Sequence, residues 1–429
     1  MRIAIAGGGP VGAFLAIGLA RRGHSVLVID RDPGPPRSGD WTRVGVMQFD
    51  QPHGFRSGAR LSLIHQLPDV YQALLTAGSR IGRLPQAPDE SANIFCRRSV
   101  FESTLRDAAR RQEGADWRTG HGVDVIIDGG IAGGLVVDGV GQLADVVVVA
   151  TGKNSHLGDA LRGPAEGGLC GFSSVSRSYR SRNPGDGCDL PVPSVVEGPD
   201  YLSMVMPSDS GHHSLLFTYP ASNRDFRRLR DGLAFDRAAA AVPTLSPWRD
   251  PARYEPVSDP VVAGNLTNTY RHQGPARGVA PASGLFFIGD AVTTLNPASG
   301  LYLALAFPDA VHLMARLADP GSDFGQISAE LDEWAEQHIY PWYLDHVRQD
   351  ESILRRLTGG GLDLAQPVTA DVVCSAAAVD PTLMSLVGPY LALLAGPDIL
   401  DGATPRVRRL LADGWRPIGS GPPSATVIG

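Results

Sequence analysis

Lysine is almost missing from this chain: Lys153 is its one lysine, and arginine supplies the remaining positive charge. With 38 Lys and Arg against 45 Asp and Glu, the net charge is −7, so there is no electrostatic case for nucleic acid or an anionic membrane as a partner. Cysteine is scarce too. Cys96, Cys170, Cys188 and Cys374 are widely spaced with no CxxC pair, which argues against a zinc site or a disulfide framework and fits a reducing, cytoplasmic setting. No apolar run reaches the ~20 residues of a membrane span. The stretch from Ile3 to Ala20 has the hydropathy of a signal peptide, but glycines recur through it and Arg21 and Arg22 close it. The expectation is a soluble intracellular protein. At 429 residues, 43% of them hydrophobic, it is long enough for two or three domains.

Residues 2–6 (RIAIA) and 25–30 (SVLVID) read as buried strands on either side of a helix from Pro10 to Arg22. A βαβ opening of this kind implies a parallel sheet with a right-handed crossover. Leu67–Ala77 and Phe101–Gln112 read as helices from their apolar spacing. Val123–Asp138 reads as strands joined by glycine turns, and Ala144–Ala150 and residues 284–290 as further buried strands. Between 165 and 275 the runs alternate, as in YLSMVMP and HSLLFTYP, which suggests an inserted antiparallel sheet. From Phe307 onward the pattern is mainly helical. The expected fold class is α/β, with a Rossmann-type domain of residues 1–164 together with 276–325. The sheet of 165–275 serves as a substrate domain, and 326–429 as a C-terminal helical region.

Two motifs carry the chemistry. Gly7-Gly8-Gly9-Pro10-Val11-Gly12 is a GxGxxG between a strand and a helix. Gly7 permits the tight turn, Gly9 admits a pyrophosphate to the backbone, and Gly12 lets helix pack on strand. Asp30, followed by Arg31, ends the second strand where an acid can accept adenosine ribose hydroxyls. NAD and FAD both suit that element. The stretch GDAVTTLNPASGLYLALAFPDA over 289–310 favours FAD. Gly289-Asp290 at a strand end offers a carboxylate to ribityl hydroxyls. The turn Pro297–Gly300–Leu301 and a helix ending in Asp309-Ala310 direct N–H groups and a positive dipole end at the flavin.

With these residues the chain resembles the class A flavoprotein monooxygenases, the para-hydroxybenzoate hydroxylase type, and the related flavin-dependent dehydrogenases and halogenases. Gly289, Asp290, Ala291, Pro297, Gly300, Asp309 and Ala310 match its GDAAHxxxPxxGxG…DA pattern in register. Thr293 stands where that family often has histidine, and Tyr302 where it has its second glycine. Arg98 and the segment to Leu105 resemble the family's R-x-x-(F/L)-(D/E)-x-x-L, whose arginine contacts the FAD phosphate–ribose region. Val123 to Val125 matches the strand flanking adenine. Ala150-Thr151-Gly152 replaces the family's Asp-Gly fingerprint, so FAD binding is retained while direct NAD(P)H use is open. Arg43-Val-Gly-Val-Met-Gln48, His53 and Phe55 resemble a bacterial subset whose loop passes over the isoalloxazine.

The resemblance implies non-covalent FAD and a C4a-hydroperoxide delivering oxygen to a mainly apolar small molecule. Electrons would come from NADPH or NADH, directly or through a partner flavin reductase. Hydroxylation or epoxidation in bacterial specialised metabolism, such as antibiotic biosynthesis, is the implied setting. His53, Gln48, Arg43 and Tyr302 are the candidate catalytic residues, with His272 a second candidate base; each also suits a bracing role. Tyr201, Met204, Met206, Phe217 and Tyr219 alternate along the inserted strands and belong either to the cavity or to the sheet core. Lys153 invites a catalytic role, although an exposed strand-end lysine fits its position better. The main alternative is a reductase of the geranylgeranyl-reductase type, which shares Asn296-Pro297-x-x-Gly300. A halogenase would carry a W-x-W-x-I-P motif, which is absent here. A flavoprotein scaffold without turnover is the non-enzymatic alternative.

Overall fold

Strands that are buried on both faces build the middle of the central sheet. The computed structural model describes residues 1–36, 41–43, 45–46, 48–154, 156–183, 187–273, 282–319, 321, 323–417 and 419–429, with Val123 described by its backbone. Val44 and Met47 of the Arg43–Gln48 motif lie outside these residues, as does the expected 275/276 boundary. Leu285–Phe287, Val146–Val149, Arg2–Ala6, Ser25–Asp30 and Ala115–Thr119 pair in that order, all parallel. Their side chains alternate between two cores. Ile3, Ile5, Val146 and Val148 face the Pro10–Ala20, Arg98–Arg111 and Tyr302–Leu317 helices. Ala4, Ala6, Val147 and Val149 face the Gly122–Leu143 strands and the C-terminal helices. The Gly122–Leu143 strands therefore cover the second face of the sheet, and the C-terminal helices extend the same core.

The edge strand Ala115–Thr119 was not expected. Asp116, Arg118 and Thr119 are exposed, so no apolar run marks it.

A second, antiparallel sheet has the order Ser194–Glu197, Leu202–Pro207, His212–Pro220, Phe172–Ser181, Tyr254–Pro256. Tyr201, Phe217 and Tyr219 point into its own core with the Gly232–Ala241 helix. Met204 and Met206 are half-buried on the other face of the Leu202–Pro207 strand. Met206 reaches toward Gly54, where a Cβ would lie 3.7 Å from its sulfur. Sequence periodicity alone could not separate these two faces.

The helix expected to end at Asp309-Ala310 instead runs Tyr302–Leu317. Ala310, Leu313, Met314 and Leu317 continue its buried stripe, and that burial outweighs the break at Pro308. Pro308 has no N–H to give Ala304, and the Ser57–Gln66 helix crosses there. A Cβ on Gly58 would lie 2.3 Å from the Ala304 carbonyl oxygen, so only glycine allows this approach.

Asp309, on the same helix, is 0% exposed and neither carboxylate oxygen has a hydrogen-bond partner among the described residues. Burial pushes its pKa up to about 8. The folded state therefore favours the protonated acid. Its contribution to stability is complete below the ordinary pKa near 3.8 and is lost as pH rises toward about 8. Asp309→Asn is expected to remove ~1.4 kcal/mol of destabilisation per pH unit across that window. Urea unfolding at about pH 5 and about pH 7.5 reads the difference; an unchanged slope would show that Asp309 is ionised in the fold.

A candidate dinucleotide cleft

The chain leaves the first strand at Gly7, whose φ of +102° favours glycine. A Cβ there would lie 2.4 Å from the Ala150 carbonyl oxygen, and one on Gly12 would lie 1.9 Å from that of Gly7. These two glycines are required by packing. Gly9 is different: a Cβ on it would meet nothing nearer than the Arg43 Nη1, 4.0 Å away. Gly9 caps the Pro10–Ala20 helix without a side-chain hydrogen bond, and Pro10 occupies its first turn. The opening N–H groups of that helix thus face a cleft of about 500 Å³.

At one end of the cleft the charges form a closed network. Asp30, 6% exposed, accepts from the Gly8 N–H at 2.6 Å, the Asp32 N–H at 2.7 Å and Arg43 at 2.9 Å. Arg43 also meets Glu102 at 2.5 Å, and Glu102 pairs in turn with Arg98. Burial alone would raise the Glu102 pKa, but Arg98 and Arg43 outweigh it and hold the carboxyl below its usual range. Burial would likewise lower Arg98, yet Glu102 holds it above the ordinary arginine value. Arg106 bonds Asp32 at 2.8 Å and lies 4.7 Å over the Trp117 ring, extending the network to the edge strand. The loop that carries Arg43 is thereby tied to the acid expected to receive the ribose.

At the other end stand Gly289, Asp290, Thr151 and Tyr302. Burial raises the Asp290 pKa, opposed by Arg98 and Lys153. Thr151 Oγ1 and the Tyr302 hydroxyl are buried without a hydrogen-bond partner among the described residues. The Asn296 side chain accepts the Ala298 N–H at 3.3 Å, and Gly300 turns the chain at φ +64° into the Tyr302–Leu317 helix. The Tyr302 ring sits 5.8 Å beneath the Arg98 guanidinium.

The cleft brings together Gly7, Gly9, Pro10 and Val11 of the first motif, with Asp30 and Arg31 at the second strand. Arg43, Gln48, Arg98 and Gly152 also line it. Gly12, Val125, Pro297, Gly300 and Leu301 do not, since they act through packing and backbone around it. His53 is also set back. Its Nε2 donates to the Gln48 carbonyl at 2.7 Å and its ring stacks on Phe55, 5.9 Å away. Burial, then Arg98, lowers its pKa to about 4, so it is neutral at neutral pH. His272 is away from the cleft, 2.8 Å from Glu336. Sequence reasoning passed over Asn154, His156 and Leu157 of the wall, and Arg162 behind it. The Arg162 guanidinium bonds the Ala291 carbonyl and lies 3.9 Å over Phe287. The only signal for this wall was its place directly after Ala150-Thr151-Gly152.

An open Gly9, a free helix N-terminus and buried unpaired hydroxyls at the far end suit an extended dinucleotide such as FAD. Among the described residues no helix is long and apolar enough to cross a membrane, and no group of three or more His, Cys, Asp or Glu could hold a metal. No family model matches the sequence, and no curated protein does either. Solved structures do match in fold. A triple mutant of the flavin-dependent brominase Bmp2 aligns over 96% of this chain and 98% of its own, at 18% identity and a TM-score of 0.63. CtdE, solved with FAD and a substrate, aligns over 96% and 100%, at 15% identity and 0.63. PqsL, a probable FAD-dependent monooxygenase from Pseudomonas aeruginosa, aligns over 84% and 99%, at 15% identity and 0.59. The chain has the α/β fold of FAD-dependent monooxygenases and halogenases.

Proposed function

We propose that the chain is an FAD-dependent monooxygenase that acts on a small, mainly apolar molecule. The observation that carries this reading is the cleft itself: an unobstructed Gly9 at a helix N-terminus, continuous with half-buried Asp290 and Tyr302. Gly7, Gly9, Pro10 and Val11 with the helix N-terminus hold the pyrophosphate, Asp30 and Arg31 the adenosine ribose, and Asp290 the ribityl hydroxyls. Thr151, Gly152 and Arg98 border the chain between them. The first turn of the Tyr302–Leu317 helix, with the Asn296–Leu301 turn behind it, would lie toward the flavin pyrimidine edge, where the helix dipole would favour negative charge. When bound, FAD supplies oxygen activation at its C4a position.

The chain's own residues shape the space around that chemistry. Met204 and Met206 offer an apolar wall, interrupted by Ser176, whose hydroxyl donates to Gln51 at 2.8 Å. Neutral His53 orients the Gln48 carbonyl rather than carrying a positive charge into the pocket. Arg43 fixes the loop to Asp30 and Glu102. Electrons come from NADPH or NADH, directly or through a partner reductase.

Mixing the anaerobically reduced protein with aerated buffer tests the reading. A transient oxygenated-flavin spectrum before the oxidised spectrum returns is expected, prolonged by a bound substrate. A reduced flavin that stays stable in air, with or without candidate substrates, would contradict it and favour the reductase suggested by Asn296-Pro297-x-x-Gly300.

A further inference from the structure

Three buried polar side chains connect the C-terminal helices to the turn that leads into the Tyr302–Leu317 helix. Asp350 lies on the Tyr340–Leu357 helix and is 5% exposed; Asn268 and Asn296 are 4% and 2% exposed. Asn268 donates from Nδ2 to Asp350 at 2.8 Å, and Asn296 donates from Nδ2 to both carboxylate oxygens at 3.1 and 3.2 Å. The Asn296 N–H in turn donates to the Asn268 Oδ1 at 2.7 Å. An ionised carboxylate only accepts hydrogen bonds, so it fixes which end of each amide faces it. That orientation leaves the Asn296 Oδ1 to receive the Ala298 N–H at 3.3 Å, inside the turn. His346, 3.7 Å from Asp350, is the nearest further charge-bearing group on the same helix.

We propose that Asp350 is a positioning residue for the cofactor. It touches nothing in the cleft, yet through Asn268 and Asn296 it sets the Pro297–Leu301 backbone from which the Tyr302–Leu317 helix begins. The C-terminal region thus takes part in the flavin site from behind. This rests on the cleft being an FAD site.

The test is FAD affinity, read by flavin fluorescence and the bound-flavin absorption spectrum, beside the melting temperature of the FAD-free protein. Asp350→Asn keeps the shape but puts an amide donor in place of one acceptor oxygen, facing the Asn268 or Asn296 donor, and Asn296→Ala removes the intermediary. Each is expected to weaken FAD binding ~10-fold, the scale of one buried hydrogen bond left unmade, and to alter the bound spectrum. The double variant is expected to be no weaker than the single ones, because both act through one contact. Arg356→Met serves as the control. Arg356 is on the same helix as Asp350 and pairs with Glu197 and Asp371 of other elements; breaking those pairs is expected to lower the melting temperature with FAD affinity unchanged. Unchanged affinity in either variant, additive losses in the double variant, or an equal loss in Arg356→Met would overturn the proposal. If Asp350→Asn does not fold, Asn296→Ala decides alone against the same control. A wild-type protein that takes up no FAD would remove the function proposed above and this inference with it. A wild-type protein that binds FAD no better than its variants removes only the inference.

Discussion

Gly9→Val is expected to yield a folded protein that no longer retains FAD. A Cβ on Gly9 meets only the Arg43 Nη1, at 4.0 Å, so the substitution costs the FAD-free fold little. The added side chain instead fills the space where the pyrophosphate must approach the helix N-terminus. Losing two charge-assisted backbone hydrogen bonds, at ~1.5–3 kcal/mol each, weakens binding by ~10²–10⁴-fold. Gly12→Val makes the contrast. Its Cβ would lie 1.9 Å from the Gly7 carbonyl oxygen, so the strand–helix junction itself must move and the melting temperature is expected to fall. Titration with FAD and thermal melts of both variants separate the two effects. A Gly9→Val protein that binds FAD as tightly as wild type would place the pyrophosphate elsewhere.

Glu102→Ala is expected to destabilise the fold by ~3–5 kcal/mol, the cost of removing one member of a buried ion pair. Glu102 is 1% exposed and is the shared carboxylate between Arg98 and Arg43, whose side chains are 11% and 7% exposed. Without it, Arg98 loses its carboxylate partner while Arg43 keeps Asp30. The expected secondary effect is a looser Arg43 loop and weaker FAD binding. The pH dependence follows from the lowered Glu102 pKa. A depressed carboxyl stabilises the fold above its ordinary pKa, and that contribution is lost as pH falls through the lowered value. The Glu102→Ala protein should therefore lose less stability on acidification than wild type does. Urea unfolding at neutral and acidic pH reads both claims; an unfolding free energy within ~0.5 kcal/mol of wild type would show that the network is not structural.

The parts of the site that were legible in the sequence are those imposed by sterics or by local spacing. Gly7 and Gly12 are visible because any side chain there collides with backbone, Asp30 because it ends a buried strand, and Asp290 because it follows one closely. The parallel sheet followed from the same apolar runs. What stayed hidden rests on contacts between distant residues. Asp350 looks like any acid on an amphipathic helix until Asn296, 54 residues away, is seen against it. Arg162 carries no signal of its own, because its partner is the Ala291 carbonyl, 129 residues on. The edge strand Ala115–Thr119 escaped because it is largely exposed, and the true end of the Tyr302–Leu317 helix because Pro308 looks like a stop. The closed pairing of Asp30 with Arg43 depends on a loop conformation that composition does not encode.

The most direct measurement is a titration of the purified, folded chain with FAD, followed by flavin fluorescence and absorption. The expected result is saturable, stoichiometric binding with a shifted flavin spectrum, and release of intact FAD on denaturation. A folded protein that leaves the FAD spectrum unchanged at excess cofactor would contradict the assignment of the Gly9–Asp290 cleft.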